Sequence, residues 1–260
     1  MTMFKTGIVS VTFRKKSIDE ILKMSRDAKL DAIEIGSDVH APYTSDSLAE
    51  IAKCAADSKI DIVSYGTYYK LGQYPDAAAE FTAYINAAKL LGTKNLRLWA
   101  GVKNSEDVDP TERRRLTDEA VLCADLAAKE NMTISFEYHG GTLTNNADSA
   151  LRLMNDIARP NASLYWQPNQ YKDLDFNIAA LKSVLEFVSN VHVFAWDARS
   201  GSLIRYPLAD FDKAWHSYLD ILAPDKRDHA LLLEFVKDDS DEHFIEDAKT
   251  LNDWRNEYAL

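Results

Sequence analysis

Four residues at the ends of short apolar runs have the types needed to hold a hard cation. Glu137 closes Ile134-Ser135-Phe136-Glu137, and Glu234 closes Leu231-Leu232-Leu233-Glu234. An unpaired buried charge is expensive, so a carboxylate at the end of a buried strand calls for a partner or a ligand. Between them in sequence lie Gln167, directly after Trp166, and His192, within Val191-His192-Val193. Two carboxylates, an amide oxygen and one imidazole suit Mn²⁺ or Mg²⁺, and Zn²⁺ or Co²⁺ also accept such a set. Singly, each has a plainer explanation: His192 as a hydrogen-bonded core residue, either Glu as a salt-bridge partner of Arg97 or Arg199. Their recurrence at equivalent strand ends is what points to a site.

The elements that must position them follow from the pattern of the chain. Strands are expected at Phe4 to Phe13, Asp31 to Gly36, Ile60 to Tyr65, Asn95 to Ala100, Met132 to Glu137, Ser163 to Trp166, Val191 to Trp196 and Ala230 to Phe235. Helical stripes alternate with them. Ser17 and Glu20 form a capping box ahead of the first helix. Ser45 or Ser47 opens the second, the helix carrying Phe81 and Tyr84 stops at Gly92, and Pro110 opens the next. A helix spans about Asn145 to Ile157, another carries Ile178, Leu181, Leu185 and Val188, a third Leu208, Phe211, Trp215 and Leu219, and the last Phe244 to Trp254. Eight such units in 260 residues, with no linker between them, predict a single α/β domain over residues 1–260, a (β/α)₈ TIM barrel. An open dinucleotide-binding sheet is the alternative, but no Gly-x-Gly-x-x-Gly follows the first strand.

A barrel of this kind keeps its chemistry at the C-terminal ends of its strands. The remaining candidates gather there. Asp38 and His40 follow the second strand, Tyr65 ends the third, and Arg97 and Trp99 share a face of the fourth. His139 shares a face with Glu137, Trp166 precedes Gln167, Trp196, Asp197 and Arg199 follow His192, and Lys237 follows Glu234. His40, His139, Arg97, Arg199 and Lys237 are placed to hold hydroxyls or an anionic group. Tyr65, Trp99, Trp166 and Trp196 offer aromatic faces at the same strand ends.

Composition narrows the partners. The net charge is −11, from 30 basic and 41 acidic residues, which argues against nucleic acid or an anionic membrane as partner. Two cysteines, Cys54 and Cys123, fall in helical patterns and read as buried thiols. The N-terminus lacks a long apolar segment and no run of about 18 apolar residues occurs, so a cytoplasmic protein is expected. A homo-oligomer is compatible with the sequence.

The order Glu137, Gln167, His192, Glu234 on consecutive strands resembles the sugar-phosphate isomerase/epimerase family, the xylose-isomerase-like TIM barrels, over essentially the whole chain. The resemblance implies that Glu137 and Glu234 are metal ligands that also move a substrate proton, and that His192 is the imidazole ligand. Where that family usually has Asp, with His three residues later, this chain has Gln167 and Gln170. The Gln oxygen is neutral, so the site carries one less negative charge. The implied activity is a divalent-metal-dependent isomerase or epimerase of a sugar, sugar phosphate or keto-sugar, working by proton abstraction next to a carbonyl through an enediolate. The alternatives are a dehydratase or lyase using the same base on an inosose or keto-sugar, and a metal-free barrel that binds a sugar without catalysis. No Gly-rich anion loop follows the seventh or eighth strand to support a phosphorylated substrate.

Overall fold

The computed structural model describes residues 4–225 and 227–259. The described residues form ten strands and eight α-helices. The strands are β1 (Phe4–Val9), β2 (Ala32–Gly36), β3 (Asp61–Lys70), β4 (Asn95–Trp99), β5 (Thr133–Glu137), β6 (Ala162–Trp166), β7 (Val188–Val193), β8 (Trp196–Asp197), β9 (Ile204–Arg205) and β10 (His229–Leu233). The helices are α1 (Ile18–Asp27), α2 (Leu48–Asp57), α3 (Ala77–Leu91), α4 (Pro110–Lys129), α5 (Ala147–Ile157), α6 (Leu174–Val184), α7 (Asp212–Leu222) and α8 (Asp241–Glu257).

Eight parallel strands close in the order β1-β10-β7-β6-β5-β4-β3-β2, which is the expected (β/α)₈ barrel. β8 and β9 form a separate antiparallel ribbon. The local signals act as the sequence implies. Ser17 and Glu20 make a reciprocal capping box, Gly92 ends α3 at φ +73°, and Pro110 sits in the first turn of α4 behind the Asp109 cap. The helix stripes bury Phe81, Leu116, Leu153, Leu181, Leu219 and Phe244 against the outer face of the strands.

Four expected boundaries differ. The first strand stops at Val9, and Ser10–Phe13 winds into a 3₁₀ turn. Ser10 Oγ receives the Gly36 N–H and meets His40 Nδ1 there, tertiary contacts that a local strand propensity does not encode. β3 continues past Tyr65 to Lys70, with a register shift and a positive φ at Tyr68. Val188 begins β7 rather than ending a helix, because the chain leaves α6 through a short 3₁₀ turn at Leu185–Phe187. The seventh barrel strand ends at Val193, and Trp196 lies on the β8–β9 ribbon.

Candidate metal centre

Side chains on successive strand residues point to opposite faces, so within β5, β6 and β7 alternate positions look into the barrel. Glu137, Gln167 and His192 occupy such positions at or just beyond the strand ends. Glu234 follows β10 directly. Its N–H donates to Val193 O, and the next residue, Phe235, takes φ +47°, turning the chain immediately after the carboxylate. The Thr12 hydroxyl donates to Leu233 O and accepts from Phe235 N–H, fixing the backbone on both sides of Glu234.

The four sequence-selected ligands converge. His192 Nδ1 lies 3.0 Å from Gln167 Oε1 and 3.6 Å from both Glu137 Oε1 and Glu234 Oε2. One ligand atom from each of Glu137, His192 and Glu234 lies within 4.8 Å of the others. Two donors about 2.1 Å from one ion are about 3.0–3.4 Å apart at octahedral and tetrahedral angles, so these spacings fit a shared divalent cation with little movement. The donor chemistry fits as well: two carboxylates, an amide oxygen and an imidazole, nearly all withdrawn from water.

A residue that sequence reasoning passed over completes the cluster. Glu34, in the run Ala32-Ile33-Glu34-Ile35, is fully buried inside the barrel. Arg97 Nε donates to Glu34 Oε1 at 2.7 Å, and Arg97 Nη1 pairs with Glu137 Oε2. Gly66 makes this possible: a Cβ there would lie 2.8 Å from both Arg97 Nη2 and Glu34 Oε1. The signal for Glu34 was the one that singled out Glu137 and Glu234, a carboxylate in an apolar strand.

The charges act on one another strongly at these distances. Burial alone would raise Glu137, but Arg97 and then His192 hold its carboxyl well below the usual range. Glu234 moves the other way, raised by burial and by the charge of Glu137 against the pull of His192. Burial opposes charge on His192, yet Glu234, Glu137 and Glu34 together push it up to about 10.

The aromatic and basic candidates separate. A cavity of about 420 Å³ opens at the strand ends, lined by Glu234, Gln167, His139, Trp196, Arg205 and Phe235 among others. His139 stacks on Trp99 at 4.8 Å between ring centroids, forming an aromatic shelf next to Tyr68. Tyr65 and Trp166 are not at this mouth. Tyr65 follows inward-facing Ser64 and packs outward against Tyr84, its hydroxyl donating to Ala41 O; Trp166 precedes inward-facing Gln167 and packs against Tyr218. Strand alternation sends both into the helix layer, and leaves Tyr165 as the ring inside the barrel, 4.7 Å from His192. His40 is occupied by its own chain, between Ser10 Oγ and Lys16 O. Arg97 is enclosed in the carboxylate cluster. Arg199 pairs with Asp197 and lines a neighbouring cavity, and Lys237 starts a 3₁₀ turn beyond the strand. Arg205 was not foreseen; it pairs with Asp239 at 2.6 Å and lies over the rings of Phe235 and Trp196.

A closed parallel barrel with a buried Glu137-His192-Glu234 group at its strand ends defines the class. Residues 22–254 match the family model of the xylose isomerase-like TIM barrel, and the chain belongs to that family. A 3-dehydroshikimate dehydratase of Bacillus anthracis is 32% identical over 72 residues, 28% of this chain and 26% of that protein, so the match spans about a quarter of the relative. The crystal structure of the probable 3-DHS dehydratase AsbF of Bacillus anthracis superposes with a TM-score of 0.79 at 17% identity, covering 95% of this chain and 98% of the other. D-psicose 3-epimerase of Clostridium cellulolyticum, solved with D-tagatose, has a TM-score of 0.72 at 14% identity, covering 98% and 99%. No helix among the described residues is long and apolar enough to cross a membrane.

Proposed function

We propose that this protein abstracts a proton next to the carbonyl of a carbohydrate-like substrate, using a divalent cation held by Glu137, Gln167, His192 and Glu234. The observation that carries this reading is the convergence of two carboxylates, an imidazole and an amide oxygen around one buried point below an open cavity. The ion, Mn²⁺ or Mg²⁺ by donor type with Zn²⁺ or Co²⁺ as substitutes, supplies polarisation of the substrate's oxygens.

The residues divide the remaining work. Glu234 is the carboxylate on the cavity wall, and its raised proton affinity suits a group that takes up and returns a proton near neutral pH. Glu137 is kept anionic by Arg97, which occupies Oε2 and leaves Oε1 facing His192. The Trp99–His139 shelf offers a flat apolar face beside hydrogen-bonding groups, and Arg205 offers a cation at the cavity wall.

The leading assignment is an isomerase or epimerase. A dehydratase is the second reading, and two observations support it. With Oε2 of Glu137 tied to Arg97, Glu234 is the carboxylate free to face substrate, and one base suffices to remove a proton and expel a β-leaving group. The 72-residue likeness to a dehydratase adds to this. Calorimetric titration with Mn²⁺ tests the shared core of both readings. One ion per chain should bind to the wild type and be lost in His192→Ala. Absence of binding at millimolar Mn²⁺ would replace them with a metal-free sugar-binding barrel.

A further inference from the structure

We infer that Glu34 is a positioning residue for the cation site: it faces the far nitrogen of His192, commits Nδ1 to the ion, and is itself held by Arg97. The inference rests on the cation reading of the previous section and names a residue which that reading does not use.

Three observations place it. First, the two ring nitrogens of His192 look in opposite directions. Nδ1 faces Gln167, Glu137 and Glu234, whereas Nε2 faces Glu34 Oε1 at 3.7 Å, an ion-pair distance. Second, among the described residues neither Nε2 nor Glu34 Oε2 has a hydrogen-bond partner, although both are fully buried. A neutral imidazole that ligates through Nδ1 carries its proton on Nε2, and at a fully buried position that N–H needs an acceptor. Glu34 is the carboxylate on that side. Third, Glu34 is not free to swing away. Its Oε1 receives Arg97 Nε, the same guanidinium holds Glu137 Oε2, and Gly66 leaves only enough room for the pair. The ring of Tyr165 packs against His192 and limits its tilt. One arginine thus sets the position of a ligand, Glu137, and of the group that orients another ligand, His192.

A purely structural account would have Glu34 serve only to neutralise Arg97. The two accounts separate on metal binding. In the wild type, Glu34→Gln and Glu34→Leu, the measurements are thermal unfolding, Mn²⁺ titration, and ¹⁵N NMR of histidine-labelled, Cd²⁺-loaded protein, which reports the ring nitrogen bonded to the ion. Loss of an outer-shell partner typically costs about 10–100-fold in metal affinity, and that is the loss expected for Glu34→Leu. Glu34→Gln keeps an acceptor oxygen and should recover most of it. Cd²⁺ should couple to Nδ1 in the wild type and to a mixture of nitrogens in Glu34→Leu. If Glu34→Leu does not fold, Glu34→Asp, which withdraws the oxygen by one methylene, should show the same loss. Folded Glu34→Leu or Glu34→Asp that binds Mn²⁺ within about twofold of wild type, or wild-type protein with Cd²⁺ bonded to Nε2, would overturn the assignment while leaving the cation site standing. A wild type that binds neither ion overturns the cation reading as well, and the two failures are told apart by the wild-type titration alone.

Discussion

Arg97 Nε donates to Glu34 Oε1 at 2.7 Å, and both side chains are almost wholly withdrawn from solvent. With Glu137 on its other side, the guanidinium is the cation that lets two carboxylates stay ionised inside the barrel. Removing one partner of a buried ion pair strands the others, which costs about 3–5 kcal/mol. Arg97→Met should therefore lower unfolding stability by about that amount in urea titration. An unchanged midpoint would mean that the carboxylates are compensated some other way.

Gly66 is required for space rather than for backbone freedom. An added Cβ would sit 2.8 Å from the Arg97 and Glu34 side chains, whereas at Gly140 it would meet nothing within 4 Å. Gly66→Ala should cost about 1–3 kcal/mol by overpacking, and should weaken Mn²⁺ binding by displacing the pair. Gly140→Ala should stay within about 0.5 kcal/mol of wild type. Equal midpoints for the two variants would contradict the packing argument.

How much of this was legible in the sequence depends on which interaction sets each feature. The eight strand–helix units are written in local periodicity, and Glu137 and Glu234 stand out as charges ending apolar runs. Glu34 carries the same signal in the middle of a run, and its partner Arg97 resembles a substrate group in sequence because nothing local says that the two meet. Tyr65 and Trp166 failed on parity: each neighbours an inward-facing residue and must point outward. The 3₁₀ turn at Ser10–Phe13 and the positive φ of Tyr68 answer to contacts across the barrel mouth, which no window of local sequence contains.

Gln167 is the neutral member of the proposed ligand set, in contact with His192 Nδ1. Gln167→Glu keeps the side-chain length and adds a negative charge beside two existing carboxylates. The metal-free protein should lose stability, while Mn²⁺ affinity should rise by about tenfold, roughly 1.4 kcal/mol. Affinity that falls or stays level would show that Gln167 does not face the ion.

Away from the site, Asp247 gives the stability a pH dependence. Burial pushes its carboxyl up to about 6, although it accepts the Leu208 N–H at 2.7 Å. A carboxyl with a folded value above its unfolded one favours folding when protonated, so its contribution is full below about pH 4 and fades as pH rises through about 6. Asp247→Asn keeps an acceptor oxygen without the charge. It should stabilise the protein by about 2 kcal/mol at pH 7–8, with the advantage vanishing near pH 4. Parallel unfolding curves for the two proteins across that window would contradict the assignment.

The most direct test of proton abstraction is solvent deuterium uptake. Mn²⁺-loaded protein in D₂O is incubated with a panel of keto-sugars, inososes and 3-dehydroshikimate, and exchange at carbon is followed by NMR and mass spectrometry. The wild type should place deuterium next to a carbonyl in at least one compound, or dehydrate it. Glu234→Gln should slow this by at least about 100-fold, the usual contribution of a general base. Neither exchange nor dehydration across the panel with the ion bound, or either reaction by Glu234→Gln at the wild-type rate, would contradict the account.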